Sequence, residues 1–233
     1  MKKSLGSIYY LMLSYRFETI LFWIINSSIL LSFAVLSILL EDNIKLYITI
    51  SAPVYIFVTI QSVSILKKTL SFLLRMGINR MQYASSVTVF VLLYSVLHST
   101  ITTLYHAFFD TLENVGVIKE VFTMHPMSFF LPNLSYLQIF LFDFALLIFI
   151  IFTGLILNVV FHRLGKIGGF SILGFLAFML LLSSALGWFE ELYLVFGDNS
   201  FFINVLYSLL ASVVLAAIYF LSLRKISILS NAR

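Results

Sequence analysis

Six long apolar runs fill most of this 233-residue chain, at residues 17–40, 45–66, 84–107, 135–161, 168–189 and 201–223. A helix needs about 20 apolar residues to cross about 30 Å of hydrocarbon, and each run is roughly 22 to 27 residues long. Apolar residues make up 61% of the chain and charged residues only 10%, against about a quarter charged in soluble domains. The strict alternation of an outer-membrane barrel strand is absent. The expected fold is all-α: a polytopic membrane protein with six transmembrane helices, forming one domain over residues 1–233. The first run is read as a span, being too long and too late for a cleaved signal peptide.

The charges sort by loop. Twelve of the 14 Lys and Arg residues lie in the N-terminus, the second loop, the fourth loop or the C-terminus. Eight of the 10 Asp and Glu residues lie in the first, third and fifth loops. Basic segments stay on the cytoplasmic side, so both termini are expected there. The net charge of +4 then reflects orientation and anionic headgroups, and no nucleic-acid partner is expected. The chain has no cysteine, which excludes disulfides, thiolate-held metals and thiol nucleophiles.

Several local features carry expectations. Lys3, Ser7 and Ser14, continued by Glu18, share one helical face of residues 3–16, while Leu5, Ile8, Tyr9, Met12 and Leu13 cover much of the rest. That spacing predicts an N-terminal interfacial helix before the first span, with Arg16 and Trp23 as anchors. Residues 41–45 leave room only for a tight hairpin, and Pro53 is expected to kink the second span. The third loop, about 108–134, interleaves Phe108, Phe109 and Leu112 with Asp110, Glu113, Lys119 and Glu120, predicting a short amphipathic helix on the outer surface. Pro126 and Pro132 follow, and Asn133 is placed to cap span four. The fifth loop, Glu190 to Ser200, is similar and shorter, and Gly165 and Gly169 let the chain turn between spans four and five.

Catalytic signatures are missing. No glycine loop that would cradle phosphate occurs, nor a Gly-x-Ser-x-Gly elbow. His98, His106, His125 and His162 are scattered without the i, i+4 pairing of a zinc helix. Neither a catalytic residue, a metal site nor a directly bound cofactor is expected. Glu190-Glu191 resembles the diacidic motif of CAAX-type intramembrane proteases, but Val195 stands where that motif has Arg, so the pair reads as an acidic outer cap. Asp143 is the one carboxylate expected deep in the bilayer, where burial costs roughly 3 kcal/mol. It must meet a partner or water, so Asp143, His98 and Asn26 are the candidate polar residues of a translocation path.

The second loop is the most basic internal one. Residues 67–75 predict a short helix with Lys67, Lys68, Ser71 and Arg75 towards water and Leu70, Phe72, Leu73 and Leu74 available for burial. Gly77 can end it in a left-handed conformation, and Asn79 can cap the next helix. Charge alone would not require those apolar residues; a docking element requires both.

This stretch resembles the first cytoplasmic loop of ABC-2-type transporter permeases, especially the small Gram-positive exporters. There an apolar run precedes a Gly-x-[Ser/Thr/Asn]-Arg-x-x-[Phe/Tyr] turn, matched here by Gly77, Asn79, Arg80 and Tyr83. The resemblance implies an ATPase-coupling loop comprising Lys67, Lys68, Arg75, Gly77, Asn79, Arg80 and Tyr83. It implies ATP hydrolysis on two copies of a separate ATPase subunit, and a second permease subunit, identical or paralogous. It also implies a multi-pass chain of the bacterial cell membrane that exports amphipathic peptides or lipid-like molecules by alternating access. The alternatives are the substrate-binding membrane subunit of a vitamin-uptake transporter, also of about six spans, and a protein like the CAAX-type proteases.

Overall fold

Where no water is present, backbone N–H and C=O groups must be satisfied within the protein, and a long helix does so within one segment. The computed structural model describes residues 2–39, 46–118, 121–131, 134–188, 190–191, 194 and 200–224. Its elements are α1 (Lys2–Leu39), β1 (Leu46–Thr49), α2 (Ser51–Arg75), α3 (Arg80–Asn114), β2 (Val121–Met124), a 3-10 turn (Pro126–Phe129), α4 (Tyr136–Ala185) and α5 (Phe201–Leu223). Among the described residues the fold is all-α apart from two four-residue strands. Five helices among the described residues are long and apolar enough to cross a membrane.

The break expected near residue 17 is not there. α1 is one 38-residue helix. Its buried stripe is Ser7, Leu11, Tyr15, Thr19, Trp23, Asn26, Leu30, Ala34 and Ser37, in steps of four with an occasional three. Ser7, assigned to the water-facing stripe from sequence, is therefore buried. The reason is tertiary: the first half of α1 packs on the bundle, with Tyr10 stacked on Phe72 at 4.4 Å and Tyr15 against Phe90 at 5.6 Å.

The second run also differs from expectation. Residues 46–49 leave it to form β1, and the helix begins at Ser51 and continues to Arg75. Pro53 thus lies in the first turn, where the backbone N–H has no intrahelical acceptor in any helix, so the expected kink does not occur. The third run extends at both ends, to Arg80 and Asn114. The sixth matches its expected bounds.

The third loop does not form the predicted amphipathic helix. α3 continues through Asn114, and the chain then lays β2 parallel to β1, pairing Leu46 with Val121 and Thr49 with Met124. Parallel strands need a crossover, and the α2–α3 hairpin supplies it by returning the chain to the same end of the bundle. Tyr47 and Phe122 stack across the pair at 5.4 Å. Beneath it Ile48, Ile50, Leu30, Phe109 and Ile118 form a small apolar cluster. Span four is capped by Ser135, whose side chain and Gln138 exchange hydrogen bonds in a capping box. Asn133, expected in that role, lies outside the described residues, as do residues 41–45, Lys119, Glu120 and Pro132.

The fourth and fifth runs are the two arms of α4, residues 136–164 and 166–185, which meet at a sharp kink across which the Phe161 and Phe170 rings pack 5.3 Å apart. Gly165, at φ 68° and ψ −173°, is its one non-helical position, so the expected loop shrinks to a single residue. Gly169 is helical and buried, and a Cβ there would stand 2.2 Å from the Phe161 ring.

α4 is the central helix, packing on α2, α3 and α5. In lipid the burial of apolar surface does not drive helices together, so close contact between small residues does. Gly154 is the clearest case. A Cβ there would collide with Ser62 Oγ on α2 and stand 2.7 Å from Ser62 Cβ. Gly154→Ala is expected to destabilise the fold by about 1–3 kcal/mol through overpacking. Adding Ser62→Gly should recover part of that loss, as read by thermal unfolding in detergent.

Candidate functional site

Two polar constructions stand out, one at each end of the bundle. At the basic end, α2 and α3 join through a turn assembled from local chemistry. Gly77, at φ 79°, occupies the left-handed position after the helix. Its N–H donates to Leu74 O at 3.1 Å, and the Ile78 N–H donates to Leu73 O at 3.3 Å. That pair of bonds is a Schellman motif, and Ile78 and Leu73 are both buried in the main core beneath it. Asn79 Oδ1 then accepts from the Gln82 N–H at 2.8 Å while Gln82 Oε1 accepts from the Asn79 N–H at 3.1 Å. Every backbone group of the turn that belongs to these motifs is bonded, which makes the hairpin stiff.

The seven residues predicted from sequence divide into three groups here. Lys67, Arg75, Gly77 and Asn79 are exposed, alongside Met76 and Met81. Lys68 is exposed but bound: its Nζ lies 2.6 Å from Glu18 of α1 and 5.2 Å from the Tyr15 ring centroid. Arg80 reaches across to donate to Arg224 O at 3.0 Å, tying the hairpin to the end of α5. Tyr83 is fully buried, its hydroxyl 2.9 Å from Thr69 Oγ1, so it is core and not docking surface. Of the apolar residues expected to bury, Leu70 and Leu73 do, Leu74 is partly covered, and Phe72 remains exposed on the Tyr10 ring.

At the opposite end Asp143 is 2% exposed and held by three donors. Tyr55 OH and Ser51 Oγ, one helical turn apart on α2, both donate to it, Ser51 at 3.3 Å. His125 Nε2 lies 2.9 Å from Oδ1. The His125 Nδ1 accepts from the Met127 N–H at 3.1 Å, so that nitrogen carries no proton. The ring is then the neutral Nε2–H tautomer and donates to the carboxylate. His106 lies beside it, ring centroids 5.7 Å apart. Nearby, Asp110 accepts from Thr123 Oγ1 and from Tyr136 OH, both at 3.1 Å, tying α3 to β2 and to the start of α4.

The partners expected for Asp143 are therefore corrected. It bonds to neither His98 nor Asn26. His98 is fully buried in an aromatic box of Trp23, Phe22, Phe57 and Tyr94, with the Tyr94 ring closest at 4.5 Å. Neither of its nitrogens has a hydrogen-bond partner among the described residues, and the same holds for Asn26 Nδ2. Among the described residues no hydrogen bond joins Asp143 to either of the other two. Ser51, Tyr55 and His125 were missed from sequence, although a hydroxyl pair at i, i+4 was a signal that α2 carries donors on one face. Ser51 donates to the carboxylate, so the cluster lacks the Ser–His bond of a nucleophile-and-base arrangement. No group of three metal-ligating side chains occurs among the described residues. Glu190 and Glu191 are exposed near the end of α4, while Val195 lies outside the described residues.

No family model matches the chain, and no curated protein or solved structure does.

Asp143→Ala would leave the buried Ser51 and His125 and the partly buried Tyr55 without their acceptor, at about 1–3 kcal/mol each before relaxation. Asp143→Asn keeps one acceptor oxygen and should lose less. Thermal unfolding is expected to rank the parent above Asn and Asn above Ala; an Ala variant as stable as the parent would show the network to be idle.

Proposed function

We propose that this chain is the membrane-spanning subunit of an ATP-driven exporter of the ABC-2 type, moving amphipathic peptides or lipid-like molecules. The observation that carries the reading is the hairpin at residues 76–79, stiff, basic at its surface and continuous with two membrane-length helices. A push on such an element moves α2 and α3 instead of being absorbed in a loop. Lys67 and Arg75 offer free positive charge beside the exposed Met76 and Met81, a surface suited to an acidic, partly apolar cleft on an ATPase. Lys68, Arg80 and Tyr83 serve differently, tying the hairpin to α1, α5 and the core.

Six crossings fit the helices if α4 contributes two. Its arms, 136–164 and 166–185, are about 43 and 30 Å long, each enough for the hydrocarbon layer. Both termini then share the basic, cytoplasmic side of a bacterial cell membrane with the hairpin. The first turns of α1, with Leu5, Tyr9 and Leu13 exposed, would extend into the headgroup layer as a continuation of the span. A second permease subunit and two ATPase copies complete the transporter.

Because the chain has no cysteine, single replacements report topology directly. An impermeant maleimide on intact cells should label Glu113→Cys and leave Ser71→Cys unlabelled until lysis; the reverse pattern would overturn the orientation. Reversing Lys67 and Arg75 together to Glu should abolish co-purification of an ATP-hydrolysing partner while changing stability by no more than roughly 0.5 kcal/mol. Gly77→Val forces a β-branched residue to positive φ and should uncouple ATP hydrolysis from export in membranes that retain the protein. Retained partner binding and full transport in both variants would reject the exporter reading.

A further inference from the structure

A single lateral groove runs between α1 and α3. Its inner third, about 320 Å³, is lined by Tyr9, Leu13 and Arg16. Its middle third, about 550 Å³, shares Thr19, Ile20 and Leu97 with the inner one. The outer third, about 660 Å³, shares Ser27, Leu31 and Ile101 with the middle and ends at Phe108 and Thr111. From Arg16 to Leu31 the groove follows about 22 Å of helix, more than the roughly 15 Å of hydrocarbon in one leaflet.

Charge is distributed unevenly along it. Among the described residues, Arg16 is the one charged residue lining any of the three segments. It makes no ion pair or hydrogen bond with a described residue. The neighbouring groove between α1 and α2, about 430 Å³, differs on this point: its cation, Lys68, is neutralised by Glu18 at 2.6 Å. Arg80 and Arg163, at the same end of the bundle, are likewise occupied, by Arg224 O and Ser222 O. Arg16 thus presents an unpaired guanidinium at the mouth of an apolar cleft, and a guanidinium binds phosphate oxygens in a bidentate fork.

We infer that the Arg16 end of this groove is a binding site for one anionic phospholipid of the leaflet at that level. The phosphate sits on Arg16, and an acyl chain runs up past Ile20 and Leu97 towards Ser27. Its length suits one leaflet, since Trp23 stands about 10 Å along the axis from Arg16, at mid-chain depth. The site depends on the bundle alone and stands whether or not the chain works with an ATPase.

Trp23, in the groove wall, makes the proposal testable, because the chain has only one other tryptophan, Trp188, which is exposed at the far end of α4. The full chain carrying Trp188→Phe is placed in nanodiscs of unbrominated phosphatidylcholine and titrated with phosphatidylglycerol or phosphatidylcholine brominated at mid-chain. Bromines quench only at short range. Brominated phosphatidylglycerol is expected to quench Trp23 at a several-fold lower mole fraction than brominated phosphatidylcholine, and Arg16→Gln should remove that difference. Equal quenching by the two lipids would mean ordinary boundary lipid and would overturn the site. A preference that survives Arg16→Gln would place the headgroup elsewhere and also overturn it. Quenching that disappears as protein per disc rises from one copy to two would assign the groove to a second copy of the chain instead.

Discussion

A carboxylate removed from water must have its oxygens satisfied by protein, and Asp143 imposes that demand on the end of this bundle opposite the basic hairpin. Its three donors come from α2 and from the segment after β2. Supplying His125 at that spot requires the chain leaving α3 to double back over the bundle mouth. The β1–β2 pair holds it there, and the Met127 N–H fixes the imidazole so that Nε2 carries the proton. Met127 itself is buried with Ala145 of α4 and Phe201 and Val205 of α5. One buried charge therefore gathers α2, α4, α5 and the cap into a common construction.

The basic end is organised on the opposite principle. Its turn is closed by bonds between residues a few positions apart, from the Schellman pair at Gly77 and Ile78 to the Asn79–Gln82 box. Longer-range ties are few and lie at its margins, through Lys68–Glu18 and Arg80–Arg224. α2 connects the two constructions directly, since Ser51 and Tyr55 begin it at Asp143 and Arg75 ends it at the hairpin. Under the exporter reading, a displacement imposed at the hairpin arrives at the outer cluster through one unbroken helix. A small motion there would strain three hydrogen bonds together, which is how a buried network acts as a two-position element.

Most of the remaining surface is apolar and open. α1 exposes Phe17, Ile24 and Ile25, and the second arm of α4 exposes residues almost all round, including Phe170, Phe175 and Leu181. In a bilayer such faces need no protein partner, because lipid tails are as apolar as the side chains. What separates the α1–α3 groove from these faces is Arg16, since dispersion alone gives no lipid a reason to stay.

Length, apolar content and the sorting of charge were enough to determine a helical membrane protein and the approximate position of each apolar run. The turn at residues 76–79 was legible too, because Gly, Asn and their helix-end roles act over four residues and require no distant partner. The partners of Asp143 were not legible. Sequence could state that a buried carboxylate needs donors, but His98, His106 and His125 are equivalent in composition, and only the pairing of β1 with β2 brings the last of them within 2.9 Å. The same limit explains Ser7 and Tyr83, polar by type and buried by packing, and Pro53, harmless once tertiary pairing moves the helix start to Ser51. Local chemistry acts between neighbours in the chain and can be read there; burial and long-range hydrogen bonds exist only after the helices have been placed against one another.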